Sequence, residues 1–334
     1  AAGATEERGI LSLNKDAEPG DHQLGDLLRS LELVDADALN ALLLEARRQR
    51  RSLRQLLLAG NYLTLYQMAL IEAGNLDGLV LGLVRVIDRL QAGPREAVFR
   101  VFDPRRNGEA LLRWLAEAEM QDAVRPDEFR QRFAAAAAVC HVNIAATYEV
   151  NDLAGRPAVL QEWLTGVAGP DWPALASAPG VWFRLLSQAA LALRTAHEAG
   201  LVHGALEPSS LVCTPEGVVK LCGLGQPRWL AASPPSDGVE ADEAGDLRAL
   251  GRIAAGWATT GPTAQRKGKA RPDALQAVLN RLPGEQGTPY ASAAELLEDL
   301  DRVSAEAPAN ATAWERFVRE VREQAVDAGW RRSA

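Results

Sequence analysis

Histidines and cysteines are the residues here whose spacing could signal metal or redox chemistry. Of the four histidines, His22 and His197 have no second histidine or cysteine three or four residues away, so no metal site is predicted. The cysteines Cys140, Cys213 and Cys222 are odd in number and lack a CxxC spacing. That pattern argues against a set of structural disulfides and favours a reducing cytoplasm as the location.

His203 and a group of arginines are the remaining candidates for chemistry. His203 could serve as a general base, but Ala205 lies beside it and no nucleophile is near, which favours a buried structural histidine. Five arginines lie between positions 47 and 54, next to leucines that continue an apolar stripe. A solvated helix face is therefore favoured there over a ligand-binding patch.

Length and composition limit the function further. The chain has 334 residues, 47% of them hydrophobic and 24% charged, which is typical of a soluble protein of about two domains. A net charge of −8 disfavours nucleic acid and anionic membranes as partners. No apolar run approaches the ~20 residues of a membrane-spanning helix, and no secretion signal is visible, so membrane insertion is not expected.

Periodicity divides the chain into four predicted segments. Residues 1–20 lack periodicity and are predicted to be a flexible leader. Residues 21–78 are predicted to form a helical module of two repeated helix pairs, because one apolar pattern recurs after 29 residues. The matching positions are Leu24, Leu27, Leu28, Val34 and Leu39, then Leu53, Leu56, Leu57, Leu63 and Met68.

Residues 79–305 are predicted to combine a sheet with many helices, an α+β arrangement. Short apolar runs separated by turn residues predict five strands. These runs are Val80 to Ile87, Ala97 to Phe102, Ala110 to Leu115, Ile144 to Val150 and Pro157 to Leu164. Residues 306–334 are predicted to be a helical extension, in which Trp314 and Trp330 either seal the helix onto the preceding domain or form a partner surface, with sealing favoured.

Two stretches near the middle of the chain carry the functional signal. One reads LVHGALEPSSLV from Leu201 to Val212, and the other reads VVKLCGLG from Val218 to Gly225. In order and spacing they resemble the catalytic loop (H-R-D-L-K-P-x-N) and the D-F-G segment of protein kinases, above all of bacterial Ser/Thr kinases. The resemblance covers residues 79–305. It implies a bilobal fold with a five-stranded antiparallel N-lobe and a helical C-lobe, preceded here by the helical module.

The aligned positions differ from those that act in a kinase. His203 matches the catalytic-loop histidine, and Gly225 matches the glycine of D-F-G. At the other positions, the catalytic Asp falls on Ala205, the loop Lys on Glu207, the metal-binding Asn on Ser210, the magnesium-binding Asp on Gly223 and the Phe on Leu224.

The nucleotide-binding positions upstream are altered as well. Of the three glycines of the Gly-rich loop only Gly93 remains, and the other two fall on Gln91 and Glu96. Arg113 stands where a kinase has its phosphate-binding Lys, and no Glu follows at the place of its partner. Leu111 falls on the Ala that touches adenine, and its larger side chain predicts a self-filled pocket.

These differences predict that the chain does not catalyse phosphoryl transfer. Ala205 cannot accept a proton, Gly223 offers no carboxylate, and Ser210 alone is a poor magnesium ligand. Glu96 would repel a phosphate by about 4 kcal/mol at ~4 Å and an effective dielectric constant of about 20. We therefore expect no metal, no cofactor and no Mg-ATP, and we expect Arg113 to pair with a nearby carboxylate.

The resemblance thus implies a pseudokinase, a non-catalytic kinase-like domain that acts as a protein-interaction or allosteric element in signalling. The expected partner is another protein, with an active kinase as one candidate. One alternative is a nucleotide-binding protein or weak kinase that uses Arg113 and Gly93. Another is a ligand sensor in the helical module, whose helix pairs resemble the N-terminal modules of bacterial secretion ATPases.

Overall fold

A computed structural model describes residues 17–176, 178–231, 241–260, 273–284, 288–306 and 311–331. The chain divides into two compact units. Unit 1 consists of Ala1–Ala92 and Ala97–Leu112, and unit 2 consists of Gly93–Glu96 and Arg113–Ala334. The four predicted segment boundaries stay predictions.

Unit 1 begins with four helices whose ends follow capping chemistry. Asp35 caps α2 by accepting the backbone N–H groups of Asp37 and Ala38. Thr64 and Gln67 form a reciprocal capping box at the start of α4. The helices are α1 (Ala17–Ser30), α2 (Ala36–Gln49), α3 (Leu53–Ala59) and α4 (Leu65–Glu72).

The positions that match in the predicted repeat are packed together. The matching positions of the two copies lie in one apolar cluster, with Leu27 only partly buried. Gln67 also donates from its side chain to the carbonyl of Val86, and Thr64 donates to the carbonyl of Ile87, so α4 is tied to the following strand. The module and that strand therefore share one packed unit.

The main sheet has six strands in the order β1-β2-β3-β4-β6-β5. They are β1 (Val80–Leu81), β2 (Val84–Ala92), β3 (Glu96–Asp103), β4 (Gly108–Leu115), β5 (Thr147–Leu153) and β6 (Arg156–Glu162). The predicted strand over residues 80–87 is divided in two, because Gly82 adopts a φ of +62° and reverses the chain between β1 and β2. The other four predicted strands are present, with shifted ends.

Unit 2 continues with helices and a small second sheet. Helix α5 begins at Arg125 and has Pro126 in its first turn, where a proline leaves no hydrogen bond unmade. The second sheet contains β7 (Val167–Ala168), β8 (Leu211–Cys213) and β9 (Val219–Leu221) in antiparallel pairs. The helices are α5 (Arg125–Ala137), α6 (Trp172–Leu175), α7 (Pro179–Glu198), α8 (Glu243–Thr260), α9 (Asp273–Arg281), α10 (Ala293–Glu306) and α11 (Ala311–Arg331).

The main core of unit 2 forms around α7, whose apolar stripe is buried as its spacing predicts. From α11, Phe317 and Val321 are buried in this core, and Trp314 packs against it. The preferred sealing role of Trp314 is thus confirmed, whereas the side chain of Trp330 lies outside the described residues. None of the helices in the described ranges combines the length and apolar character needed to cross a bilayer.

Candidate functional site

A cavity of about 160 Å³ in unit 2 brings together positions that the sequence analysis singled out separately. Six of them line it, namely Arg113, His203, Ala205, Glu207, Ser210 and Gly223. They come from β4, from the segment after α7 and from the segment after β9. Gln226, which the sequence analysis did not single out, lines the same cavity.

Asp246, in the first turn of α8, holds the segment that contains His203. Its carboxylate accepts the backbone N–H groups of His203 and Gly204, each at 2.8 Å, and lies 3.0 Å from Nε2 of His197. Burial disfavours the charge, but the hydrogen bonds from His197 and from the backbone N–H groups outweigh it and lower the pKa of Asp246. An ionised carboxylate thus fixes this loop.

The side chain of His203 is used within the loop. Its Nε2 lies 2.9 Å from the carbonyl oxygen of Cys222, and its Nδ1 faces the N–H of Ala205 at 3.4 Å. This pattern assigns a neutral ring that donates from Nε2. Burial lowers the pKa of His203, which keeps the ring neutral. His203 is therefore buried and hydrogen-bonded to the backbone, which agrees with a structural role, and that role stays a prediction.

The polar side chains beside it are also used locally. Ser210 Oγ accepts the backbone N–H of Glu207 at 3.2 Å, and the carboxylate of Glu207 accepts the hydroxyl of Ser209 at 2.5 Å. Ala205 offers only a methyl group to the cavity. Across the described parts of the chain, no group of three or more histidine, cysteine or acidic side chains could hold a metal ion.

Two glycines flank Leu224 after β9, and both have a φ of +82°. Leu224 is buried in the main core of unit 2. A Cβ on Gly225 would lie 2.6 Å from Cβ of Ala136 and 2.7 Å from the carbonyl oxygen of Arg132, so only glycine fits against α5. The retained glycine therefore has a packing reason that is independent of catalysis.

Arg113 forms an ion pair with Glu96 in the wall of the cavity. The pair is bidentate, with Nη2 2.5 Å from Oε1 and Nε 3.0 Å from Oε2. The side chains are only 11% and 7% exposed. Nη1 of Arg113 donates to the side-chain oxygen of Gln226 at 3.0 Å, and the guanidinium lies 5.6 Å from the ring centre of Phe133. The predicted pairing of Arg113 with a carboxylate is confirmed, and Glu96 is its partner.

Trp229 anchors the segment that follows Gln226, and the sequence analysis missed it. Its Nε1 donates to Glu128 of α5 at 2.8 Å, and the guanidinium of Arg125 lies 5.2 Å from its ring centre. Its carbonyl accepts a hydrogen bond from Arg95. A tryptophan inside a stretch rich in proline and polar residues was the available signal. The Ser233-Pro-Pro-Ser stretch further on lies outside the described residues.

The remaining predicted positions lie around the turn between β2 and β3 and in β4. The N–H of Gly93 donates to the carbonyl of Glu96 at 3.0 Å, which closes a tight turn. Gln91 is exposed and pairs with Val98 in the strand ladder. Leu111 lies half-buried in β4. The pocket-filling role of Leu111 and the loss of the Gly-rich loop stay predictions.

Comparison with known proteins tests the fold. A scan against protein-family models finds no match. One similar solved structure is the kinase domain of PknI from Mycobacterium tuberculosis, with 24% identity, 69% of this chain and 98% of that chain covered, and a TM-score of 0.52. A second crystal structure of that domain has 21% identity, covers 68% and 98%, and has a TM-score of 0.52. A mutant form has 22% identity, covers 68% and 97%, and has a TM-score of 0.53.

This chain therefore has a protein kinase-like fold, and the predicted α+β fold class is confirmed.

Proposed function

We propose that this protein is a catalytically inactive relative of the bacterial Ser/Thr kinases, a cytoplasmic pseudokinase that acts through protein interaction or allostery. The observation that carries the proposal is the buried pair of Arg113 and Glu96. In a kinase, the cation at this position binds nucleotide phosphates. Here the guanidinium already binds a carboxylate on one edge and Gln226 on another.

The ion pair opposes phosphate binding in two ways. Phosphate would have to displace Glu96 from Arg113, and breaking a buried pair costs about 3–5 kcal/mol. That cost corresponds to a loss of about two to four powers of ten in affinity. The displaced carboxylate would also remain close to the bound phosphate and repel it.

The groups at the kinase transfer positions of this cavity support the proposal. Transfer needs a group that orients the attacking hydroxyl and side chains that hold magnesium. At these positions the cavity has the methyl group of Ala205, the backbone of Gly223 and the hydroxyl of Ser210, which already accepts the N–H of Glu207. The cavity volume of about 160 Å³ is also below the ~300 Å³ of small ligand sites.

Exposed apolar side chains support the interaction role. Among the described residues, large apolar side chains that face solvent are concentrated in unit 1. These residues are Leu44, Tyr62, Leu65, Val80 and Leu83 in unit 1, and Val124 and Val142 in unit 2. Where such side chains lie together in one patch, they are typical of surfaces that bind another protein.

Nucleotide binding is the direct test of inactivity. We expect no change in melting temperature with ATP, with or without Mg²⁺, and no transfer of phosphate to casein or to the chain itself. The Arg113→Ala variant should respond to ATP as the wild type does, and Arg252→Ala, which removes an exposed arginine of α8, is its matched control. An ATP-dependent rise of several degrees that Arg113→Ala abolishes and Arg252→Ala retains would instead establish the nucleotide-binding alternative.

Affinity purification of the tagged full chain from its source organism tests the interaction role. We expect specific proteins to be recovered with the wild type and with Val142→Ser, and to be reduced at least about tenfold by Leu44→Ser combined with Leu65→Ser. Circular dichroism controls for folding of each variant. Equal recovery of these proteins by the double variant would show that Leu44 and Leu65 of the helical module do not contribute to the interface.

A further inference from the structure

A second and larger cavity, of about 390 Å³, lies in unit 2 away from the kinase-derived positions. It is bounded by α7, α10, α11 and the turn between β8 and β9. Arg184 and Ser187 of α7 face it together with Ser304 of α10, and Trp314 of α11 forms an aromatic wall. Its volume falls in the range of small-molecule sites, about 300–1,000 Å³.

The polar groups at this cavity are available for a ligand. Among the described residues, Arg184 has no carboxylate within 4.0 Å, and neither Ser187 nor Ser304 has a hydrogen-bond partner. Gln188, by contrast, donates to the carbonyl of Gly217 at 3.2 Å and accepts N–H groups of Val219 and Asn143. In this part of the chain, the cation of Arg184 therefore contacts the ring of Trp314 but forms no ion pair, and the two hydroxyl groups form no hydrogen bond.

The aromatic wall is held rigidly. The ring of Trp314 lies 5.5 Å from that of Phe317, which is buried in the core. Gly217, with a φ of +80°, sits so close that a Cβ would be 3.2 Å from the indole. The guanidinium of Arg184 lies 5.2 Å from the ring centre of Trp314. The guanidinium thus lies over the indole, and a cation and an aromatic ring are held together in the cavity before any ligand arrives, which reduces the entropy lost on binding.

Charge selects the ligand further. Arg184 favours an anionic group, and a carboxylate would form a charge-assisted hydrogen bond with it. Asp301, exposed in α10, also lines the cavity and disfavours a multiply charged anion. Its carboxylate instead suits a ligand that also carries a hydrogen-bond donor.

We propose that this cavity binds a small aromatic carboxylic acid that carries an amino or hydroxyl donor. The acid group pairs with Arg184, the ring lies against Trp314, and the donor reaches Asp301 or Ser304. Because α7 and α11 both contribute to the cavity, the ligand stabilises their contact and raises the melting temperature of the chain. The proposal does not depend on whether the kinase-derived cavity is inactive.

Isothermal titration calorimetry on the full chain tests the site, with 4-aminobenzoate, L-phenylalanine and L-tryptophan as probes. We expect one molecule of at least one probe to bind per chain, with a Kd of millimolar or tighter. Benzamide, which has the ring without the anion, should bind at least about tenfold more weakly, because it forms no charge-assisted bond.

Variants assign the binding to this cavity. Arg184→Gln should weaken the probe at least about tenfold. Ser187→Leu should abolish binding by filling the space while keeping the arginine, and Arg252→Gln on exposed α8 should leave the Kd unchanged. Circular dichroism and thermal unfolding verify that each variant folds. Absence of binding by all three probes, or binding that Arg184→Gln and Ser187→Leu leave intact in folded protein, would overturn the proposal.

Discussion

The ion pair of Arg113 and Glu96 allows a quantitative test, because its contribution to the free energy of unfolding depends on how deeply the two charges are buried. Replacing either residue with an apolar side chain, as in Arg113→Met or Glu96→Leu, leaves the other charge buried without its partner. Each single replacement should lower the free energy of unfolding by about 3–5 kcal/mol. The double variant removes both charges and should lie near the wild type, so the coupling energy should exceed about 2 kcal/mol.

Urea unfolding followed by tryptophan fluorescence is a suitable assay, because all eight tryptophans follow Arg113 in sequence and belong to unit 2. The signal therefore reports the unit that contains the ion pair. The matched control is the pair of Arg130 and Asp152 in the same unit, whose atoms lie 3.0 Å apart but whose side chains are 33% and 52% exposed. Alanine at either control position should cost less than about 1 kcal/mol.

The comparison between the two pairs decides whether the reasoning holds. If the single replacements at Arg113 and Glu96 cost no more than those at Arg130 and Asp152, burial does not strengthen the pair. If the double variant is as destabilised as the sum of the singles, the two residues are not coupled. Either result would remove the energetic basis for phosphate exclusion.

Three further predictions follow from the same unit. Gly225→Ala should lower the free energy of unfolding by more than about 3 kcal/mol, because the added methyl group overlaps α5. The control Gly155→Ala, at a φ of +75° with open space around it, should lower it by about 1–2 kcal/mol. Equal losses of unfolding free energy in urea would contradict the close approach of Gly225 to α5. The pKa of Asp246 in the folded chain is below its usual 3.8, so the ionised carboxylate stabilises the fold above about pH 4 and this stabilisation is lost as the pH falls. The difference in unfolding free energy between wild type and Asp246→Asn should therefore be constant from pH 8 to 6 and shrink below about pH 4. A difference that does not change on acidification would contradict this assignment. Trp314→Ala should lower the free energy of unfolding by about 3 kcal/mol and make α11 sensitive to limited proteolysis. An unchanged cleavage pattern would show that the ring does not hold α11 against the core.

Local sequence patterns predicted most of the helices and strands, because the formation of a helix and its cap depends mainly on residues that are close in sequence. The 29-residue repeat identified buried positions in α1–α4. The strand interruption at Gly82 was missed, since apolar residues continue on both sides of the glycine. Periodicity has no means of distinguishing one strand from two short strands joined by a tight turn.

The candidate site was only partly predictable. The order of the kinase-like motifs predicted which positions line the cavity, because proteins that share a fold place equivalent positions close together in space. The partner of Arg113 was unspecified, since Glu96 lies 17 positions away on another strand. Gln226 and Trp229 were missed because they belong to a segment without periodicity, whose contacts depend on the placement of α5. Pairings between distant segments require the tertiary fold.

The carboxylate of Glu96 gives Arg113 a permanent counter-ion that is covalently part of the same chain. Its effective concentration does not vary with metabolism, unlike that of a soluble anion that competes for the same cation. Under the proposed function, a compound that mimics a triphosphate would have to displace this internal carboxylate before it could bind Arg113.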